Sequence, residues 1–378
     1  MNLKTVFPQI LVSSTLRNTG RLAHLAKRKV TGKPPTLHVF LEPGEPYSEL
    51  LVQALPKLEA RYGLATIRYR VGAPEKSAAP EPELFAEWSA RDAEALARVH
   101  GLASVEGVST LIEGDAEAGA SLRRKLGHYS SGTIWFEGEW YWGIDRLVHL
   151  ERRLGALPGA ALFEPPVETE QKVGGAFEMF FSLRSPYSYI VLMRVFDMAR
   201  RWGAEITLRP VLPMVMRSLP VPREKRFYIV RDCARESDRF GLEFGKICDP
   251  VGKGVENGLS ILVDEIQAGR GEAFLDSYMR GVWAEGIDPA TPQGLYTICK
   301  RAGVEWAHAQ ALTQTDGWRD VVEKNRQDLF SGGHWGVPSF RVGDRMCFGQ
   351  DRLWQVGEWL AEEAGQPSPP GPREHAPG

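Results

Sequence analysis

The chain has only four cysteines, Cys233, Cys248, Cys299 and Cys347, all in its second half and with no C-x-x-C pair among them. That scarcity speaks against a disulfide framework or a dithiol redox motif and points to free thiols in a reducing cytoplasm. Long apolar runs are missing too: no segment reaches the roughly 18 to 20 residues that span a bilayer. The first residues, MNLKTVFPQILVSSTLRNTGRLAHLAKRK, lack an unbroken apolar stretch and a small-residue cleavage site, so no secretory leader is expected. A net charge of only -2 gives no global pull toward nucleic acid or anionic membrane, and neither is expected as a partner. No His/Cys/carboxylate spacing suggests a metal site. What remains is ordinary globular composition, 43% hydrophobic and 25% charged, at a length that suits two domains.

Those two domains are visible as an internal repeat. Residues 37–48 read LHVFLEPGEPYS and residues 177–188 read FEMFFSLRSPYS, an offset of 140. The same offset places Arg61-Tyr62-Gly63 on Arg201-Trp202-Gly203 and Arg91-Asp92 on Arg231-Asp232. Further on the offset is 206. It matches Gly127-His128-Tyr129 with Gly333-His334-Trp335, and Gly143-Ile144-Asp145-Arg146-Leu147 with Gly349-Gln350-Asp351-Arg352-Leu353. Growth of the offset from 140 to 206 gives the second copy 66 additional residues, roughly 247–312, with helical periodicity.

Each copy starts with an apolar strand (Leu37–Leu41; Phe177–Phe181), a turn and a proline-started helix. A second strand follows (Thr66–Val71; Glu205–Val211), then helices, then a hairpin (Thr133–Phe136 with Glu139–Trp142; Ser339–Val342 with Arg345–Phe348) and a closing helix. This β-α-β, helical, β-β-α order predicts an α/β fold: two tandem thioredoxin-like domains, the second with a helical insertion. The expected divisions are an N-terminal arm (1–35), a degenerate thioredoxin-like domain (36–150), a linker (151–176), a DsbA-like thioredoxin domain with the insertion (177–362) and a disordered tail (363–378).

Three short motifs in the second copy carry chemistry. Ser185-Pro186-Tyr187-Ser188 lies where a strand meets a helix, with Ser185 a good N-cap and Pro186 a good first residue. A hydroxyl there can donate to an anion such as a thiolate, which the helix N-terminus also favours. The competing reading is that Ser185 only caps its helix. Gly336-Val337-Pro338-Ser339-Phe340 opens a strand, and its proline predicts a cis bond, leaving the Val337 backbone to pair with an extended ligand. An ordinary edge-strand proline is the alternative. Phe348-Gly349-Gln350-Asp351-Arg352-Leu353 starts the last helix, where Asp351 would bind an ammonium or simply cap.

In this order the motifs resemble the 2-hydroxychromene-2-carboxylate isomerases and kappa-class glutathione transferases, within the DsbA-like group, over about residues 177–362. The resemblance implies that Ser185 hydrogen-bonds the thiolate of glutathione as the catalytic residue. It implies that Val337, before the cis Pro338, pairs with the tripeptide, that Gln350 and Asp351 hold its γ-glutamyl end, and that Lys225 lies by a carboxylate, with Tyr228 nearby. Two positions depart from the family: Ser182 stands where an Asp is usual, and Pro210–Lys225 contains no Asn. The first copy has Glu45 for Ser185, Ser131 for Val337 and Gly132 for Pro338, which predicts a dead site and a fused pseudo-dimer. His334 is expected to be structural, since His128 persists in the dead copy.

Three functions follow as expectations. The first is a glutathione-dependent isomerase or transferase acting on a small aromatic-degradation intermediate. The second is a non-catalytic protein that binds an extended peptide at the Val337 edge. The third is a relative of thiol-disulfide oxidoreductases that has lost its cysteines, with serine at both 185 and 188.

Overall fold

The computed structural model describes residues 9–10, 12–219 and 221–366, and forms two compact units. One gathers residues 14–167 and 221–228; the other gathers 9–10, 12–13, 168–219 and 229–366. The expected tail, 363–378, lies outside the described residues from 367 on.

In the first unit, β1 (Thr36–Leu41) buries Leu37, Val39, Phe40 and Leu41 completely. The helix Pro46–Tyr62 follows and stops at Gly63, whose φ of 60° is the left-handed cap that glycine adopts without strain. β2 (Ala65–Arg70) pairs parallel with β1, and the hairpin of β3 (Thr133–Phe136) and β4 (Glu139–Trp142) pairs antiparallel on its other side. The sheet order is β2-β1-β3-β4. Residues before β1 are not featureless: Ser14–Thr31 is a helix, held on the hairpin by Arg21 to Glu139 (2.6 Å) and Arg28 to Glu137 (3.4 Å).

The second unit has the order β6-β5-β7-β8, with β5 (Ala176–Phe181) and β6 (Glu205–Pro210) parallel and β7 (Ser339–Val342) and β8 (Arg345–Phe348) antiparallel. Phe177, Met179 and Phe181 from β5 meet Tyr189, Ile190 and Val195 from the helix Pro186–Trp202 in one core. The additional residues fold as helices Lys253–Gln267, Gly271–Arg280, Pro292–Ala302 and Trp306–Leu312, close to the span read from the repeat. Phe274 and Tyr278, fully buried, join them to the same core. Truncating a buried aromatic of this kind costs about 3–5 kcal/mol.

Bond for bond, the two units use the same local devices. Glu42 N–H donates to Ser48 Oγ at 3.1 Å, and Ser182 N–H to Ser188 Oγ at 3.3 Å. Val71 N–H bonds Leu41 O and Val211 N–H bonds Phe181 O, each at 2.8 Å. Past the insertion, Gly143 N–H reaches Gly132 O and Gly349 N–H reaches Pro338 O, each at 2.9 Å.

The stretch read as a linker, 151–176, is anchored at both ends. Glu151, fully buried, accepts from the N–H groups of Leu162 (2.7 Å) and Phe163 (3.0 Å). Thr169 O accepts from the Trp202 indole at 2.7 Å. The division between units falls at 167/168, inside this stretch.

Candidate active site

The end of β5 turns through Ser182–Ser185, closed by Ser185 N–H on Ser182 O at 3.0 Å. Ser185 is extended (φ -94°, ψ 115°) and caps the helix, its Oγ accepting the Ser188 N–H at 3.1 Å. The same hydroxyl faces Val337 O at 3.5 Å, a contact at the long limit of a hydrogen bond. The Val337–Pro338 peptide is cis, as the strand-start proline predicts. Ser185, Val337 and Pro338 are therefore brought together from positions about 150 residues apart in the chain. Ser188, at the resolving position of a redox motif, is fully buried and bonded to the Ser182 N–H.

The turn after β8 comes next to this pair, since Gly349 N–H bonds Pro338 O at 2.9 Å. Gln350, however, faces inward and is 1% exposed. Its amide donates to Glu236 Oε2 at 2.7 Å, and its carbonyl accepts from Arg194 Nη1 at 3.4 Å. Burial places the polar atoms of its side chain on protein partners. Asp351 stays partly open, its carboxylate 3.2 Å from Arg352 Nη1.

Lys225, the other side chain implied as an anchor, is bonded within the first unit. Residues 221–228 group with the first unit, where Lys225 Nζ donates to Ala78 O at 2.6 Å and lies 5.6 Å from the centre of the Tyr129 ring. Burial depresses its ammonium to about 8. Tyr228 is edge-on to His128 in the same unit, at 4.6 Å between ring centres.

Reading the sequence missed a buried polar chain behind Gln350. Arg194 pairs with Glu168 and lies over the Phe240 ring at 3.5 Å, and burial lowers its pKa against the pull of Glu168. Glu236, fully buried, joins Gln350 to Arg239 (3.6 Å). Nearby, Asp232 accepts from the Tyr187 phenol (2.8 Å) and from Arg235 (2.8 Å). The available signal was the run of Asp232, Arg235, Glu236 and Arg239 at helical spacing, a polar stripe on one face of Arg223–Phe240. His334 is fully buried, like His128.

At the corresponding place in the first unit, Glu45 is the N-cap, accepting from Tyr47 N–H (3.1 Å), Ser48 N–H (2.8 Å) and Ser48 Oγ (2.7 Å). Burial lifts its carboxyl to about 7. Gly132 has φ 63°, and a Cβ there would stand 3.1 Å from Glu45 Oε2 and from Tyr47 Cβ. The Glu45 carboxyl thus holds the cap position that the Ser185 hydroxyl holds in the second unit.

The four cysteines form no disulfide, and burial pushes the Cys299 thiol up to about 12, far from a reactive thiolate. Among the described residues, no group of three or more His, Cys, Asp or Glu is placed to hold a metal ion.

Residues 176–361 match the family model of the DSBA-like thioredoxin domain. A 2-hydroxychromene-2-carboxylate isomerase of Sphingobium xenophagum is 23% identical over 193 residues, 49% of this chain and 97% of that protein. One of Pseudomonas putida is 21% identical over 187 residues, 47% of this chain and 91% of that protein. Among solved structures, a 2-hydroxychromene-2-carboxylate isomerase is 18% identical and covers 50% of this chain and 98% of its own, with a TM-score of 0.44.

Proposed function

Residues 176–361 belong to the DSBA-like thioredoxin family, and from that premise we propose that this half of the chain is a glutathione-dependent isomerase or transferase of the 2-hydroxychromene-2-carboxylate isomerase kind. The observation that carries the reading is the Ser185 hydroxyl. It sits at a helix N-terminus, and among the described residues the acceptor within its reach is Val337 O, at a long 3.5 Å. A proton held so weakly is readily redirected to a stronger acceptor, and a thiolate at a helix N-terminus is one.

The donor set fits the thiol end of glutathione. Ser185 would hold and help ionise the sulfur, the Val337 backbone would pair with the tripeptide, and Asp351 would meet its amino end. When bound, glutathione supplies the nucleophilic sulfur that adds to an unsaturated carbon of the substrate, allows rotation there and leaves. The protein's own part is to raise the thiolate fraction and orient the sulfur. Serine at 185 and 188 speaks against disulfide exchange. Four cysteines that form no disulfide are compatible with the reducing, cytoplasmic setting proposed for this chain.

A second reading, capture of an extended peptide at Val337, is favoured by one observation: Gln350 and Lys225, both implied as glutathione anchors, are bonded elsewhere. Titration with reduced glutathione and with S-methylglutathione, followed by thermal unfolding, separates the two. A ligand that binds only the native state stabilises it by about 2.7 kcal/mol at one hundred times Kd. Stabilisation by reduced glutathione, together with turnover of a hydroxychromene carboxylate, supports the isomerase reading. No stabilisation by either compound overturns it.

The first unit is best explained as a duplicate of the second that has lost its site. The shared strand order and the hydrogen bonds recurring at offsets 140 and 206 support this. Glu45 is the change that would have closed the thiol site, by placing like charge against a thiolate.

A further inference from the structure

The helix Ser14–Thr31 is amphipathic in an unusual sense: its charged face is turned to the protein and its apolar face is turned out. Arg17, Arg21, His24 and Arg28, spaced as one helical stripe, are half-buried, and Arg21 and Arg28 pair with Glu139 and Glu137 of the β3–β4 hairpin. The opposite stripe of Leu16, Ala23 and Val30, with Leu22 and Ala26 beside it, is exposed. Leu16 is 54%, Leu22 66% and Val30 87% open to solvent. An isolated exposed leucine needs no explanation, but a continuous apolar stripe on one helix does.

Charge says what covers it. The chain contains no Asp or Glu before Glu42, against seven Lys and Arg. With Arg21 and Arg28 committed to the hairpin, Lys27 and Lys29 flank the apolar stripe and Lys33 follows it. The net charge of -2 hides this local asymmetry. We propose that Ser14–Thr31 docks on an anionic lipid surface, lying in the interface with Leu16, Leu22 and Val30 inserted and Lys27, Lys29 and Lys33 at the headgroups. A second copy of the same helix would bring like charges together, and nucleic acid would leave the apolar stripe uncovered. The inference is independent of the thiol chemistry proposed for the other unit.

The test is flotation of the full chain with phosphatidylcholine vesicles and with vesicles of phosphatidylcholine mixed with phosphatidylglycerol. Binding to the mixed vesicles, weaker on phosphatidylcholine alone and falling with salt, is expected. Each lysine near an anionic surface contributes on the order of fivefold. Lys27→Gln with Lys29→Gln should therefore lower the partition coefficient about 25-fold. Leu22→Ser should lower it by about tenfold or more, since it removes an inserted side chain. Both variants alter exposed positions, and an unchanged circular dichroism spectrum separates lost docking from lost folding. Three results would overturn the proposal: no flotation at low salt, equal binding to both vesicle types, or lipid-free dimerisation or duplex DNA binding that accounts for the helix while vesicles do not.

Discussion

The Tyr187 phenol donates to Asp232 at 2.8 Å, and 140 residues earlier the Tyr47 phenol donates to Asp92 at 2.7 Å. Both carboxylates are buried, so each pair joins the first turn of the proline-started helix to a later helix across the interior. A hydrogen bond to a charged partner in such a place is worth roughly 1.5–3 kcal/mol. Tyr187→Phe and Tyr47→Phe should each lower the urea midpoint by a corresponding amount, with the m-value unchanged. A loss below about 0.5 kcal/mol in both would mean that these pairs are ordinary surface contacts.

Ser185→Ala separates capping from catalysis. Loss of the N-cap should cost about 1 kcal/mol of folding stability. If the hydroxyl also holds a thiolate, its removal takes away a further 1.5–3 kcal/mol from the ionised form alone, about one to two pKa units on bound glutathione. Thiolate absorbance of the glutathione complex against pH measures this for wild type and variant. Equal midpoints with a stability loss alone would return Ser185 to a purely capping role.

Most of the scaffold was legible because similar sequence patterns recur in the two halves of the chain. Strand ends read from the repeat fall within a residue of those observed, and the inserted helices occupy the span marked by the change of offset. The meeting of Ser185 with Val337 was legible for the same reason: both stand at strand ends whose pairing is set by the fold. Gln350 and Lys225 were not legible in this way. Motif order says where a residue enters the turn or helix but not which way its side chain goes. Gln350 turns to Glu236, 114 residues away, and Lys225 to Ala78, 147 residues away, neither of which any local pattern connects.

Glu45 should make stability depend on pH. Its carboxyl is raised from 4.5 to about 7, chiefly by burial and against the N–H groups it accepts from. Between those values the native state holds a proton that the unfolded chain has released, so this contribution is full below about 4.5 and is lost as pH rises through about 7. With its partial exposure discounted, the effect is on the order of 2 kcal/mol. Glu45→Gln keeps an acceptor at the cap and removes the ionisation. The difference in unfolding free energy, variant minus wild type, should grow in favour of the variant across that window. A difference that stays flat would show that Glu45 is already ionised at low pH.

Lys225 gives the opposite slope in a different range. Burial lowers its ammonium from 10.5 to about 8 in the folded protein. Below about 8 it is charged in both states, and the full cost of holding a buried ammonium is present. Between about 8 and 10.5 the folded state has released its proton and the unfolded chain has not, so stability rises with pH. A shift of this size is worth about 2 kcal/mol after discounting for partial exposure. Lys225→Met removes the charge and also the bond to Ala78 O, which offsets part of the gain by about 1 kcal/mol. The variant should therefore match or exceed wild type at neutral pH and fall behind it above the window, as seen by denaturation midpoints on either side. If both proteins respond to pH in parallel, the Lys225 ammonium is solvated and its place against Ala78 is not maintained in solution.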